Sequence, residues 1–380
     1  MKPLSLYIHV PFCKRACPYC TFYHVSASAG LVRAFAGRAA EEIELELAAV
    51  ARCRGGNASG SGRASLSLRT LYVGGGTPSI IPAQSLEEIL APVYPWVDDG
   101  SGGEWTIELN PEDVTGELLD KYVEMGFNRA SVGIQSMNPR VQEVLGRSSP
   151  AINRAAMEAV QARFETVNAD LLLGIPGIAS GEVIESARAL LAFEPQHLSV
   201  YCLEGGGSSS AAVAAFLSRV DQEEAAAQYL ALCNMLDRHG YLHYEVSNFA
   251  RPGFESKHNR TYWEGGDYLG IGPAAHSFVG GIRRRNRSSL EIYLANRGET
   301  FDPVRRFDSQ DERERRLERL FLGLRTSRGI SLEMVEGMED VIDALTANGL
   351  ASVAGERLTL TDRGFLLLDE IVVRLADRSE

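Results

Sequence analysis

No apolar run in this chain approaches the ~18 residues that a helix needs to cross a bilayer, and there is no excess of positive charge. Of the 380 residues, 38 are Lys or Arg and 50 are Asp or Glu, a net charge of −12. That balance argues against general affinity for nucleic acid or anionic lipid. Cysteine is sparse: there are six, three of them between positions 13 and 20 and the rest at 53, 202 and 233. Such a distribution is no secreted disulfide framework, and it points to a reducing compartment and a metal. The opening MKPLSLYIHVPFC has too short an apolar stretch for a secretory signal. The expectation is a soluble, cytoplasmic protein, with enough chain for one large domain and a small one.

What is present alternates. Short β-branched runs at Leu4 to Val10, Arg69 to Val73, Trp105 to Leu109, Arg129 to Ile134, Val167 to Leu172 and His197 to Cys202 read as strands. Between them, amphipathic stretches such as Leu31 to Arg52, Ser85 to Tyr94, Thr115 to Met125, Ala151 to Phe164 and Glu182 to Phe193 read as helices, with Gly126 and Gly240 as stops. The order predicts an α/β fold, a parallel (β/α)6 barrel whose chemistry gathers in the loops after the strands' carboxyl ends. Cys53 to Ser67 reads as a flexible surface insertion, and Gly205 to Ser210 as a loop over the barrel mouth. From about Phe301 the alternation stops. Helices at Asp311 to Arg325 and Glu339 to Asn348 precede a strand, turn, strand and helix, a winged-helix-like α+β pattern. The expected domains are 1–300 and 301–380. The second shows no dense basic face, so nucleic acid is not expected as a partner.

Cys13, Cys17 and Cys20 form C-x3-C-x2-C after the first strand. Three thiolates can hold three irons of a [4Fe–4S] cubane and leave the fourth open, where the amino and carboxylate groups of S-adenosylmethionine can chelate. A structural zinc completed by His9 or His24, or reduced cysteines without metal, would use the same residues. Tyr19 and Phe22 would add an apolar wall. Gly75 and Gly76, with Gly74 before and Thr77 after, follow the second strand and allow close backbone approach to a ligand. Glu108, Gln135 and Asp170 lie at or near strand ends, and Arg147 follows a short helix; each is also what a solvated barrel mouth would carry. Further on, His258 precedes Tyr262 and Trp263; imidazole beside aromatic rings can bind haem, and the same grouping is also what a structural, packed histidine shows.

The segments YIHVPFCKRACPYCTFY, YVGGGTPS, IELNP, SVGIQS, NADLLLGIPG and YEVSNFARPGFESKHNRTYWEGGDYLGIGPAAHSF resemble, in order over nearly the whole chain, the radical-SAM coproporphyrinogen dehydrogenase family. The match is nearest its haem-chaperone branch. The resemblance implies a partial barrel with an added strand, and a cluster on Cys13, Cys17 and Cys20. It also implies S-adenosylmethionine contacts at Tyr7, Glu108 and the Gly75, Gly76, Thr77 segment, and a neighbouring site at Gln135, Arg147 and Asp170. His258, Tyr262 and Trp263 fall in HNRTYW, which resembles the HNxxYW motif of the haem-chaperone branch and implies haem contact. The dehydrogenases carry a fourth cysteine where this chain has Phe22, which counts against radical decarboxylation of coproporphyrinogen III, the alternative activity. The segment LEGGGSSSAAVAAF also departs from the family pattern.

The resemblance further implies transfer of haem to acceptor proteins, among them respiratory enzymes reached at the inner membrane surface, and it leaves a homodimer open. Arg283, Arg284, Arg285 and Arg287 form a basic patch that suits haem propionates, an acidic partner or a solvated loop. His9 and His276 stand in family motifs without an assigned role.

Overall fold

A computed structural model describes residues 3–54, 66–97, 103–204, 210–296 and 312–376. The anticipated Gly205 to Ser210 loop, most of the Cys53 to Ser67 insertion and the boundary near residue 300 lie outside the described residues, apart from their flanks.

The first strand shows why the sequence builds a barrel. In β1 (Leu4–Val10), Leu4, Leu6, Ile8 and Val10 are fully buried on one face, while Ser5, Tyr7 and His9 alternate onto the other. The apolar face meets the helical layer, and the polar face looks into the barrel. The same division recurs along β2 (Leu68–Gly75), β3 (Glu104–Leu109), β4 (Arg129–Gln135), β5 (Thr166–Leu173) and β6 (His197–Cys202). Thr70, Thr106, Ser131, Asn168 and Ser199 are all buried polar residues of this inner set. The six strands match the sequence reading to within a residue or two.

The connecting helices are α1 (Ala29–Cys53), α2 (Ala83–Leu90), α3 (Gly116–Glu124), α4 (Pro139–Val144), α5 (Pro150–Gln161) and α6 (Ser180–Leu191). Local chemistry sets their ends. The Thr115 side chain accepts from Leu118 N at the start of α3, and Gly126 beyond it takes φ +100°, a left-handed stop open to glycine.

After β6 come α7 (Ala211–Leu217), α8 (Gln222–Arg238), β7 (Leu242–Glu245), β8 (Asn248–Ala250), α9 (Lys257–Trp263), β9 (Asp267–Ile271), β10 (His276–Val279), β11 (Ile282–Arg285) and α10 (Leu290–Ala295). The sheet order is β11-β10-β9-β1-β2-β3-β4-β5-β6-β8-β7. Seven neighbours, β9 and β1 to β6, are parallel; the pairings at both edges are antiparallel. The added strand is therefore β9, which returns beside β1. It follows the HNRTYW segment.

Two hydrophobic clusters are present among the described residues, one in the barrel and one formed by residues from Leu320 to Leu375. The second surrounds α11 (Glu312–Leu324), the short β12 (Ile330–Ser331), α12 (Glu339–Ala347), the pair β13 (Ala351–Ala354) and β14 (Arg357–Leu360), α13 (Asp362–Phe365) and the terminal α14 (Leu368–Ala376). It is the strand-turn-strand-helix arrangement expected of a winged helix. No helix among the described residues is long and apolar enough to cross a membrane.

Candidate functional site

A cavity of 420 Å³ opens at the carboxyl ends of the parallel strands. Cys13, Cys17 and Cys20 line it from the loop after β1; Gly75, Gly76 and Thr77 line it from the loop after β2, and Tyr7, Glu108, Gln135, Arg147 and Asp170 complete it. Eleven sequence-selected positions thus converge on one mouth although they span 157 positions of chain, from Cys13 to Asp170, with Tyr7 just before.

The cysteine loop is held by its neighbours. Lys14 pairs with Asp113 and Arg15 with Glu112 (2.7 Å), both in the turn after β3. The Thr77 hydroxyl donates to Cys13 Sγ (3.5 Å) and the Arg147 guanidinium to Cys17 Sγ (3.8 Å). All three thiols are unbridged, and burial pushes Cys13 and Cys20 up from the usual thiol range. Three partly buried, unbridged thiols facing one cavity are the donor set that would hold three irons of a [4Fe–4S] cluster and leave the fourth open.

The glycine run has a steric origin. A Cβ on Gly76 would stand 2.5 Å from the Phe12 carbonyl oxygen, and one on Gly74 would strike Glu108 and Tyr72 at 2.7 Å. Gly75 has φ +113° and packs against the His9 ring. The amides expected to reach a ligand are instead used inside the protein: Gly75 N donates to Glu108 Oε2 (3.0 Å), Gly76 N to Val10 O (2.8 Å) and Thr77 N to Phe12 O (2.7 Å).

Two carboxyls are sunk in this polar interior. Burial, with Asp170 nearby, raises Glu108 to about 7, although Tyr72 donates to it at 2.8 Å. Burial likewise raises Asp170 to about 6 against donation from Asn168 (2.8 Å). Both would be relieved by a cationic ligand. Gln135 holds φ +64°, a conformation that a side chain adopts only when its surroundings enforce it.

Sequence reasoning missed Tyr72, Ser131 and Tyr201. Tyr72 bonds Glu108, while Ser131 and Tyr201 line the cavity. Period-two alternation would have found them, since Tyr72 lies two residues before Gly74, Ser131 two before Gly133 and Tyr201 two after Ser199.

The HNRTYW segment has a different place. Glu104, at the start of β3, accepts from the backbone N–H of Lys257 (3.0 Å) and His258 (2.9 Å) and from the Ser256 hydroxyl (3.2 Å), seating α9 beneath the barrel. His258 then points inward. Its Nδ1 meets the Thr70 hydroxyl and its Nε2 the Tyr262 hydroxyl, each at 2.7 Å. The structure thus does not bring His258 to either large cavity. It is 1% exposed, and burial lowers its pKa to about 3. Tyr262 and Trp263 do reach a second, larger cavity of 1310 Å³, which shares Tyr7, Thr21 and Phe22 with the first.

Residues 7–190 match the Radical SAM superfamily and residues 310–367 the HemN C-terminal domain. The barrel and its cysteine-lined mouth are those of a radical SAM protein, a class that implies a [4Fe–4S] cluster and S-adenosylmethionine. The thiol set and the two buried carboxyls fit those groups. The solved structure of Escherichia coli coproporphyrinogen III oxidase (HemN) has the same fold, with a TM-score of 0.76 at 19% identity, covering 99% of this chain and 90% of that one.

Sequence relatives are more specific. The chain is 33% identical to the heme chaperone HemW of Mycobacterium tuberculosis, over 98% of this chain and 94% of that protein. It is 31% identical to heme chaperone HemW of Lactococcus lactis, over 96% and 95%. The chain belongs to the HemW family.

Proposed function

We propose that this protein is a haem chaperone: it binds haem, carries a [4Fe–4S] cluster with S-adenosylmethionine, and passes haem to acceptor proteins. The supporting observation is the union of a three-thiol barrel mouth with near-complete alignment to relatives called heme chaperone HemW. Cys13, Cys17 and Cys20 would hold the cluster. When bound, it supplies an electron to the sulfonium of S-adenosylmethionine.

The chain's own residues do the rest. Glu108 offers a buried carboxylate to the ligand's ammonium, and the carbonyls of Gly75 and Gly76 are the loop groups suited to accept from it, since the amides are already donated. Tyr7 stands between the two cavities with its hydroxyl 3.0 Å from His9 Nδ1. Gln135, Arg147 and Asp170 line the adjoining part of the mouth. Tyr262 and Trp263 present rings to haem, and His258 acts on that surface through its bond to Tyr262. We read the chain as a barrel domain, 1–300, and a C-terminal domain, 301–380, working in the cytoplasm and delivering haem to respiratory acceptors at the membrane.

The test is anaerobic reconstitution, followed by haem titration, transfer to an apo-acceptor, and assay for protoporphyrinogen. Saturable haem binding with transfer and no protoporphyrinogen is expected. Robust conversion of coproporphyrinogen III, or no haem binding, would overturn the reading.

A further inference from the structure

The sheet edge beyond β9 carries its own pattern. In the antiparallel pair β10·β11, His276 stands opposite Arg285 and Phe278 opposite Arg283, so these four side chains share one face. Tyr268 on β9, opposite Phe278, joins them. The alternate residues turn the other way: Ser277 accepts from Gly270 N and Arg284 pairs with Glu46.

This face forms one wall of the 1310 Å³ cavity, and α11 supplies another with Arg315, Arg319, Glu312 and Glu318. Small-molecule pockets usually hold about 300–1,000 Å³, so there is room for a broad macrocycle. The wall is aromatic and stepped: Tyr262 meets Tyr268 edge-on at 4.5 Å, and Tyr268 lies 6.3 Å from Phe278. Its lining carries four arginines, Arg283, Arg285, Arg315 and Arg319, against three carboxylates, Glu264, Glu312 and Glu318. Arg283 is shared between Glu318 and the Tyr268 hydroxyl, and Arg319 pairs with Glu312. Arg285 is exposed, and among the described residues its guanidinium donates to the Ser288 hydroxyl (3.3 Å) rather than to a carboxylate.

Two histidines line the cleft, and they differ in access. His9 is 7% exposed, bonded to Tyr7, and its ring is pressed so close to Gly75 that a Cβ there would approach to 2.6 Å. A porphyrin plane has no way in. His276 is exposed on the rim, on the same face as the aromatic rings.

We infer that haem is carried in this cleft, with His276 as the axial ligand to iron, the ring plane against Tyr268 and Phe278, and a propionate on Arg285. The inference rests on the haem-binding reading and assigns its site. It separates iron ligation from His258, whose ring nitrogens are both engaged inside the barrel, and it puts haem beside the cluster cavity, across Tyr7 and Phe22.

The test titrates the full-length, anaerobically reconstituted protein with haem and follows the Soret band, with cluster absorbance and far-UV circular dichroism as folding controls. His276→Ala should change the iron coordination spectrum, and Arg285→Glu should weaken binding about tenfold or more, the effect of one lost charge-assisted hydrogen bond. His276→Met, which keeps a ligating atom, should bind with a distinct spectrum, and it serves if the alanine variant does not fold. Wild-type protein that takes up no haem defeats the functional reading itself. Wild type that binds while the His276 variants keep its iron spectrum overturns only this placement.

Discussion

The Thr70 hydroxyl lies 2.7 Å from Nδ1 of His258, joining residues 188 positions apart inside the barrel. Thr70 in turn donates to Ser5 (2.8 Å), and the far side of the imidazole is taken by Tyr262. His258 is thus a keystone of the barrel floor, buried neutral among oxygen partners.

Replacing His258 with Ala is expected to destabilise the fold by about 3 kcal/mol, because it empties a buried site and leaves the hydroxyl of Tyr262 without this partner. Urea unfolding checks the figure. The pH sign is definite: the folded pKa of about 3 lies below the ordinary histidine value of 6.5, so the unfolded chain takes the proton first. The stability from His258 is whole above pH 6.5 and is lost progressively as pH falls toward 3, a slope that His258→Ala should reduce.

Glu108 predicts the opposite direction for the unliganded fold. Its folded pKa of about 7 exceeds its ordinary 4.5, so the folded form keeps its proton longer and loses stability as pH rises from 4.5 through 7. A ligand ammonium needs the ionised form. S-Adenosylmethionine affinity should therefore rise with pH, by at most about tenfold per unit, and level off above 7. Calorimetry on Glu108→Gln should show weaker binding with this dependence reduced; an unaltered profile would remove Glu108 from the ammonium site.

Gly76→Ala should disturb the cysteine loop from behind. The new methyl would press on the Phe12 carbonyl, one residue before Cys13, at a strain of roughly 1–3 kcal/mol. Lower iron and sulfide content after reconstitution, together with a lower unfolding midpoint, is the expected pair of results.

Changing Cys13, Cys17 or Cys20 singly to Ala should abolish stable cluster retention while the barrel still folds, since each is only partly buried and outside the main apolar core. Iron analysis and circular dichroism on the same sample separate the two effects. Full iron content in any of the three variants would exclude that thiol as a ligand.

Much of this was readable along the chain because it is local. The six inner strands announce themselves by apolar runs, and the cysteine and glycine motifs lie directly behind strands, where parallel topology gathers chemistry. Thr115 and Gly126 bound a helix by short-range hydrogen bonding and backbone freedom. What escaped was non-local. The motif HNRTYW names a segment and not its direction: the Glu104 carboxylate at the foot of β3 draws in the backbone of α9 and commits His258 to the interior.

Sequence by itself determined the α/β class, the order of strands and helices, and the three thiols with their glycine neighbour, since each depends on spacing within a few residues. Tertiary structure decided that β9 returns beside β1, that His258 faces inward while Tyr262 and Trp263 face a cleft, and that His276 meets Arg285 across a sheet edge. Those outcomes depend on pairings between distant segments, where burial and hydrogen-bond satisfaction across the whole barrel select one arrangement that no local pattern encodes.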